Sequence, residues 1–279
     1  MQRVILRTAL AAAALFALAA LPAPAAAQSD ILLRLRSGSP LGDRFRVDSA
    51  SGFVAKGFIG IGIIPFTGAG DRTMWHPFKA GFRTGGVDAT QWDDGSFGFY
   101  TFAAGYNTIA AGNYSIAAGY SAETHQSYGV SMGYNTNSDG VGAVALGYLS
   151  TAKGNYSVAI GQRASTNGFT GAIVMSDQSN SDSVLASANN QFSLRAAGGV
   201  RIYTNATKTT GMSMNAGGSS WNVISDRTRK EGFLGVDGED LLLRLRGVPV
   251  TTWRYRDEAD RSVLHIGPMA QDWQRAFGF

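Results

Sequence analysis

Between residues 98 and 168 apolar and polar positions recur in a fixed order. Before alternate glycines stand FAAG (102–105), IAAG (116–119), VSMG (130–133), VALG (144–147) and VAIG (158–161). The half-turns between them are more polar: IAAG (109–112), THQ (124–126), NSDG (137–140), TAKG (151–154) and STNG (165–168). In each apolar half large and small side chains alternate. Ile116, Val130, Val144 and Val158 form one column, and Ala117, Ser131, Ala145 and Ala159 form the other. A period of two is the signature of a strand. The pattern therefore predicts a short strand, a glycine turn, a second short strand and a second turn, which together make one coil of fourteen residues. One coil cannot bury its own face, so coils stack into a β-solenoid.

Glycine keeps the count. Gly98, 105, 112, 119, 133, 140, 147, 154, 161 and 168 fall on a strict spacing of seven, broken by Gln126, and Met175 takes the next slot. The period excludes collagen, and the absence of a leucine seam excludes a coiled coil. Gly105, Gly119, Gly133, Gly147 and Gly161 are expected where the chain turns with positive φ or where coils approach closely. Only Glu123, Asp139, Lys153 and Arg163 are charged in this stretch, so a lone solenoid would show much apolar surface. Side-by-side association of several chains resolves that.

The flanks read differently. Residues 1–27 carry Arg3 and Arg7, an apolar run from about Ala9 to Leu21 and the triplet Ala25-Ala26-Ala27, the three parts of an export signal. Cleavage after Ala27 would leave no stable membrane span and lower the net charge from +4 to +2, because two arginines leave with it. Residues 28–91 form a β-rich cap region in which GFIGIGIIP (57–65) reads as a buried strand or bulge; Trp75 and His76, with Trp92 just after it, pack over the first coil. GAGDR and GIGII complete neither phosphate-loop pattern. Asp93 and Asp94 are adjacent and point oppositely in a strand, a poor pair for glycan hydrolysis. Residues 176–220, with FSLRA and GVRIYTN between Gly-Gly pairs, read as a β-meander or neck.

Composition excludes some chemistry. The chain has no cysteine, three scattered histidines and no basic stripe, so thiol chemistry and nucleic acid are not expected. No metal and no cofactor are called for.

From Ser225 the composition changes: eighteen of the last 55 residues are charged. Asp237 to Asp240 open a leucine-rich helix GEDLLLRLR (238–246), Pro249 stops it, VTTWRY (250–255) reads as a strand, and RSVLHIGPMAQDW (261–273) ends in a helix. Ser225 and Lys230 stand five apart. A serine hydroxyl needs an adjacent base, and a lysine serves only where burial, aided here by Arg227 and Arg229, leaves some of its amine neutral. Asp226, His265 and Gln271 are supporting candidates. On spacing alone, S-D-x-x-x-K reads sooner as a capped helix start, and it is the downstream HIGPMAQDW block that reverses this.

Two resemblances follow from these residues. SVAIG (157–161), repeated as AVALG and SIAAG at fourteen-residue spacing across about 92–175, resembles the head repeats of YadA-like trimeric autotransporter adhesins. That implies a left-handed parallel β-roll packed as three chains; Gln126 and Met175 depart from the pattern, and the adhesins' membrane barrel is not seen. S-D-x-x-x-K, then P-V-x-x-W-x-Y and H-I-G-P-M-A-Q-D, resembles the intramolecular chaperone domain of phage endosialidases and tailspikes. There the domain trimerises, helps the β-rich stalk fold and cuts itself off. The resemblance implies Ser225 and Lys230 as a catalytic dyad of a single-turnover serine autoprotease and cleavage at Ile224–Ser225. It also implies a long C-terminal helix, so the domain at 221–279 reads as C-terminally truncated.

The expectation is a mainly β chain. A solenoid of 14-residue coils, trimeric, is followed by a small α+β C-terminal domain. The protein is expected to be secreted or at the cell surface, of bacterial or phage origin, and to partner itself as a homotrimer. The alternative is an adhesin that binds a host surface glycan or matrix protein, its C-terminus only structural.

Overall fold

The computed structural model describes residues 31–37, 42–48, 52–223, 227, 230–258 and 260–278. The export signal expected at 1–27 lies outside them. The chain is mainly β and divides into two compact units, Met1–Gly199 and Val200–Phe279.

The first unit opens with an antiparallel sheet of β1 (Ile31–Ser37), β2 (Gly42–Asp48) and β3 (Phe53–Ala55). A hairpin of β4 (Gly70–His76) and β5 (Gly81–Val87) follows. The edge of β5 then templates the solenoid, because β6 (Phe102–Tyr106) pairs with it in parallel, Phe82 opposite Phe102. Each coil supplies one long and one short strand: β6 and β7 (Ile109–Ala110), β8 (Ile116–Tyr120) and β9 (Glu123–Thr124), β10 (Val130–Tyr134) and β11 (Asn137–Ser138), β12 (Val144–Tyr148) and β13 (Thr151–Ala152), β14 (Val158–Gln162) and β15 (Ala164–Ser165). The long strands stack in register, Val130 beside Ile116 and Val144 and Gly133 beside Gly119 and Gly147. The short strands stack likewise in a second sheet.

The coil is too narrow for large side chains between its sheets. Four positions per coil point inward, and they hold Ala, Ser, Thr or Gly: in the fourth coil Ala143, Ala145, Ser150 and Ala152, all without exposed surface. The small column is therefore the core, and the large column faces out. Buried hydroxyls satisfy one another or the turns. Ser131 Oγ donates to Thr136 Oγ1 at 2.8 Å, Thr124 Oγ1 to Ser115 Oγ at 2.8 Å, and Ser138 Oγ to the Ala143 carbonyl at 2.8 Å. Such pairing offsets the desolvation of burying a hydroxyl.

The glycines divide by cause. Gly133 sits at φ +132°, a region closed to residues with a Cβ, and a Cβ there would strike the carbonyl oxygen of Gly147. Gly105, Gly119, Gly147 and Gly161 repeat this, with φ from +109° to +122°. In the other series Gly112 and Gly140 are constrained only by a carbonyl on the next coil, and Gln126 stands there without a positive φ.

Both ends of the stack are plugged. At the first, Trp92 is fully buried and donates its indole N–H to the Thr108 carbonyl at 2.8 Å. Arg83 takes an inward position beside Ala103, donates to the carbonyls of Phe82 and Ala110, and lies 3.6 Å from the Phe97 ring centroid. Burial lowers its pKa to about 9. At the other end the solenoid outlasts its sequence pattern. β16 (Ile173–Ser176), β17 (Val184–Leu185) and β18 (Phe192–Arg195) extend the two sheets, so FSLR is a solenoid strand rather than part of a meander. Arg195 holds the intervening loop: it donates to Asp177 Oδ1 at 3.0 Å, to Ser176 Oγ at 2.8 Å and to the carbonyls of Asp177, Asn180 and Asp182. The Ser179 hydroxyl, the backbone N–H groups of Ala197 and Ser179 and the Arg195 guanidinium hold the Asp177 carboxyl well below the usual carboxylate range.

Residues 57–65 correct another expectation. They form turns with exposed side chains, not a buried strand, since Gly60 and Gly62 take positive φ and no strand pairs with them.

In the second unit β19 (Val200–Tyr203), β20 (Gly211–Met214) and β21 (Asn222–Val223) form an antiparallel meander. Helix α1 (Gly238–Arg246) starts where expected, capped by Asp237, whose carboxylate accepts from the backbone N–H of Glu239 at 2.9 Å. β22 (Thr251–Trp253) pairs antiparallel with β23 (His265–Gly267), and helix α2 (Ala270–Phe277) closes the chain.

Candidate functional site

Two surfaces are candidates for function. The first is the outer face of the long-strand sheet. Pairing puts Trp75, Phe82, Phe102, Ile116, Val130 and Val144 in one line, which Val158, Ile173 and Phe192 continue. A second line through Met132, Leu146 and Ile160 runs beside it. Phe102 and Met132 keep more than two fifths of their surface in contact with water in the single chain. An apolar strip of that length marks an interaction surface.

Beside it run two rows of tyrosines. Tyr106, Tyr120, Tyr134 and Tyr148 stack with centroids 5.5, 5.0 and 5.0 Å apart. Tyr100, Tyr114 and Tyr128 stack at 5.1 and 5.3 Å, each at a left-handed turn position. All seven remain exposed. The sequence reading missed these rows, although the tyrosines recur at fourteen residues and a search for the period in residue types other than glycine finds them.

The second surface is in the C-terminal unit. Ile224, Ser225 and Asp226 lie outside the described residues, so the geometry of the expected dyad is not on view. Lys230 is exposed, and its backbone N–H donates to the Arg227 carbonyl at 3.2 Å. The Arg227 guanidinium lies 4.6 Å from the Phe233 ring. His265 begins β23 and is half-buried, with Nε2 3.0 Å from both carboxylate oxygens of Glu258. The Trp253 ring stacks on the imidazole at 4.6 Å, and Tyr255 meets it edge-on at 5.2 Å. A carboxylate bound through one imidazole nitrogen fixes the ring and leaves the other nitrogen for a proton. Trp253 and Tyr255 belong to the P-V-x-x-W-x-Y motif; no spacing signal points to Glu258. Gln271 is exposed in the first turn of α2, away from any bond partner among the described side chains. Among the described residues no group of three or more metal-ligating side chains forms, and no helix is long and apolar enough to cross a membrane.

A stack of fourteen-residue coils with small residues inside and a large apolar column outside defines a head-repeat β-solenoid. Residues 98–122, 127–150 and 138–164 match the YadA head domain repeat. Residues 225–278 match the family described as chaperone of endosialidase. The chain thus carries YadA head repeats and a C-terminal chaperone-of-endosialidase domain. No curated protein and no solved structure matches it.

Proposed function

We propose that the chain is an exported, trimeric fibre or stalk protein whose C-terminal domain is an intramolecular chaperone. The observation that carries this is the unbroken apolar line from Trp75 to Phe192 on a solenoid that already fills its own interior. Three such faces turned together bury it, and both families matched are trimeric in kind. Parallel coils of equal length offer many nearly equal registers. A domain that trimerises first fixes the register and lowers the entropy cost of gathering three chains.

The same domain then cuts the chain at Ile224–Ser225. The Ser225 hydroxyl attacks the Ile224 carbonyl, and neutral Lys230 accepts its proton and returns one to the departing Ser225 nitrogen. Water hydrolyses the resulting ester, leaving an Ile224 carboxylate and a free Ser225 amine. Cleavage makes assembly kinetically irreversible. Native mass spectrometry of the full chain is expected to give a trimer, and a fragment beginning at Ser225 that disappears in Ser225→Ala. A monomer would sink the fibre, and an identical fragment pattern in the variant would sink the cleavage.

The exposed tyrosine rows favour a second reading, a surface adhesin that binds host matrix or glycans through residues 28–175. Binding of that segment to immobilised glycans or matrix protein, with no effect of Ser225→Ala, would support it.

A further inference from the structure

The row of Tyr100, Tyr114 and Tyr128 is interrupted by one vacancy. Its position is the left-handed turn before each long strand, and five successive coils fill it with Tyr100, Tyr114, Tyr128, Gly142 and Tyr156. The backbone does not ask for glycine there. Gly142 takes φ +63°, and the four tyrosines take φ from +55° to +64° at the same place. Pairing of the turn is also unchanged. The Gly142 N–H donates to the Ser127 carbonyl at 2.9 Å, as the Tyr128 N–H does to the Asn113 carbonyl at 2.8 Å. What is missing at this coil is a ring and nothing else.

Tyr156 stands two coils beyond Tyr128. On the row's own spacing of 5.1 and 5.3 Å that is roughly 10 Å, so a further ring between them would lie about 5 Å from each, within the range of about 4.5–7 Å for aromatic pairs. The rings that border the gap are the most exposed, Tyr128 at 60% and Tyr156 at 68% against 47% and 52% for Tyr100 and Tyr114. Tyr156 leans over the glycine, where a Cβ would come within 3.1 Å of its Cδ1, so the slot is narrowed from one side by a side chain free to swing back. Its floor offers little hydrogen bonding. The Val141 N–H is bonded to Asn155 Oδ1 at 3.0 Å, and the Val141 carbonyl accepts from the Tyr156 N–H at 2.7 Å. A pyranose would leave hydroxyls unmatched there. An organic cation would call for a free carboxylate, and Asp139, three residues before the glycine, is held by His125 at 2.7 Å. A flat ring held by its two faces asks for neither.

We infer that the slot at Gly142 binds a single planar aromatic ring between the faces of Tyr128 and Tyr156. The ring comes from a free aromatic compound or from an aromatic side chain of another polypeptide. A second copy of this chain is the poorer source. Packing between copies along the stack repeats coil by coil, as the apolar line from Phe102 to Val158 does, whereas the vacancy between rings occurs once.

Ligand-observed NMR on the full chain tests this, with indole as the free ring and the tripeptide Gly-Trp-Gly as the side chain. Saturable binding is expected, with the ring protons of the ligand shifted upfield by the two tyrosine faces. Binding of indole shows that a free ring suffices, and binding of the peptide alone assigns the slot to a polypeptide. Gly142→Tyr fills the vacancy in a conformation that Tyr128 already adopts. It is expected to keep the circular dichroism spectrum and to weaken binding at least about tenfold. Tyr156→Ala removes one wall and is expected to weaken binding too, which keeps the test decisive should the first variant misfold. No saturable binding of either probe, equal binding by wild type and either folded variant, or equal binding of cyclohexanol, methyl glucoside or methylguanidinium would overturn the inference. So would an assembly whose mass falls in Gly142→Tyr, which would make the slot a contact between copies. None of these results depends on cleavage at Ser225, and a failure here leaves the proposed assembly as it stands.

Discussion

The repeats and the C-terminal unit bury their chains in opposite ways. In the stack each coil places four small side chains in a closed interior, and column after column has no exposed surface. In the C-terminal unit, among the described residues, only Val248 is buried, while Leu234, Leu243 and Ile266 remain more than half exposed. The stack completes its core from within and lacks only a cover for its outer line. Among the described residues the C-terminal unit has two helices and two small sheets but almost no buried core. On the proposed function, copies of the chain would complete that core, as a domain that gathers chains requires.

Hydrogen exchange at dissociating dilution gives the widest test of that contrast. Amides in residues 101–166 are expected to exchange orders of magnitude more slowly than those of α1 and α2, which have no buried residue to hold them. At assembling concentration the helices should gain protection and the coils change little. Equal protection of both regions in the dilute chain would remove the difference.

Gly133→Ala attacks the stack where its geometry has least freedom. The variant must place a Cβ at φ +132° and against the Gly147 carbonyl, so a loss of at least about 4 kcal/mol is expected in thermal or denaturant unfolding. Gly168→Ala is its control. That glycine also has positive φ, at +86°, but its Cβ would meet open space, and a loss of about 1–2 kcal/mol is expected. If the two cost the same, inter-coil crowding is not what fixes glycine at every fourteenth residue.

Much of this was legible from period alone. The fourteen-residue coil, the paired strands, helix GEDLLLRLR and strand Thr251–Trp253 all follow from pattern and caps. The inward column was not legible, because alternation defines two faces without saying which is inside. The habit of putting large residues inside fails when two sheets sit only an alanine apart. FSLRA was legible as a strand, but its place in the solenoid was hidden because the preceding loop breaks the glycine count, and the sequence shows no sign that Arg195 gathers SDQSNSDS around itself. The turn at 57–65 misled because apolarity was read as burial. The motif carrying Ser225 and Lys230 was visible as residues, whereas Glu258 became a partner of His265 only through folding.

Arg195→Ala tests the plug at the far end of the stack. It leaves Asp177 and three carbonyls without their cation, and a loss of about 2–3 kcal/mol, confined to 173–197, is expected in exchange protection. Acid should loosen the same clip in the native chain. The folded Asp177 carboxyl titrates below its unfolded value of about 3.9, so its contribution is whole above that pH and is lost as pH falls through the lowered folded value. Protection of 177–197 should therefore fall below about pH 4 before that of the middle coils. Simultaneous loss would mean the plug is no weaker than the stack.

The smallest effect tests the glycine series from the other side. Gln126 occupies a slot that glycine fills elsewhere, yet its φ is not positive and its side chain is exposed. Restoring the pattern with Gln126→Gly adds no missing conformation and loosens the unfolded chain. A loss of about 0.5–1 kcal/mol is expected, where perfecting a repeat would ordinarily suggest a gain. A gain in unfolding free energy would mean that Gln126 is strained after all, and that both glycine series are fixed by the backbone rather than one by the backbone and the other by close approach alone.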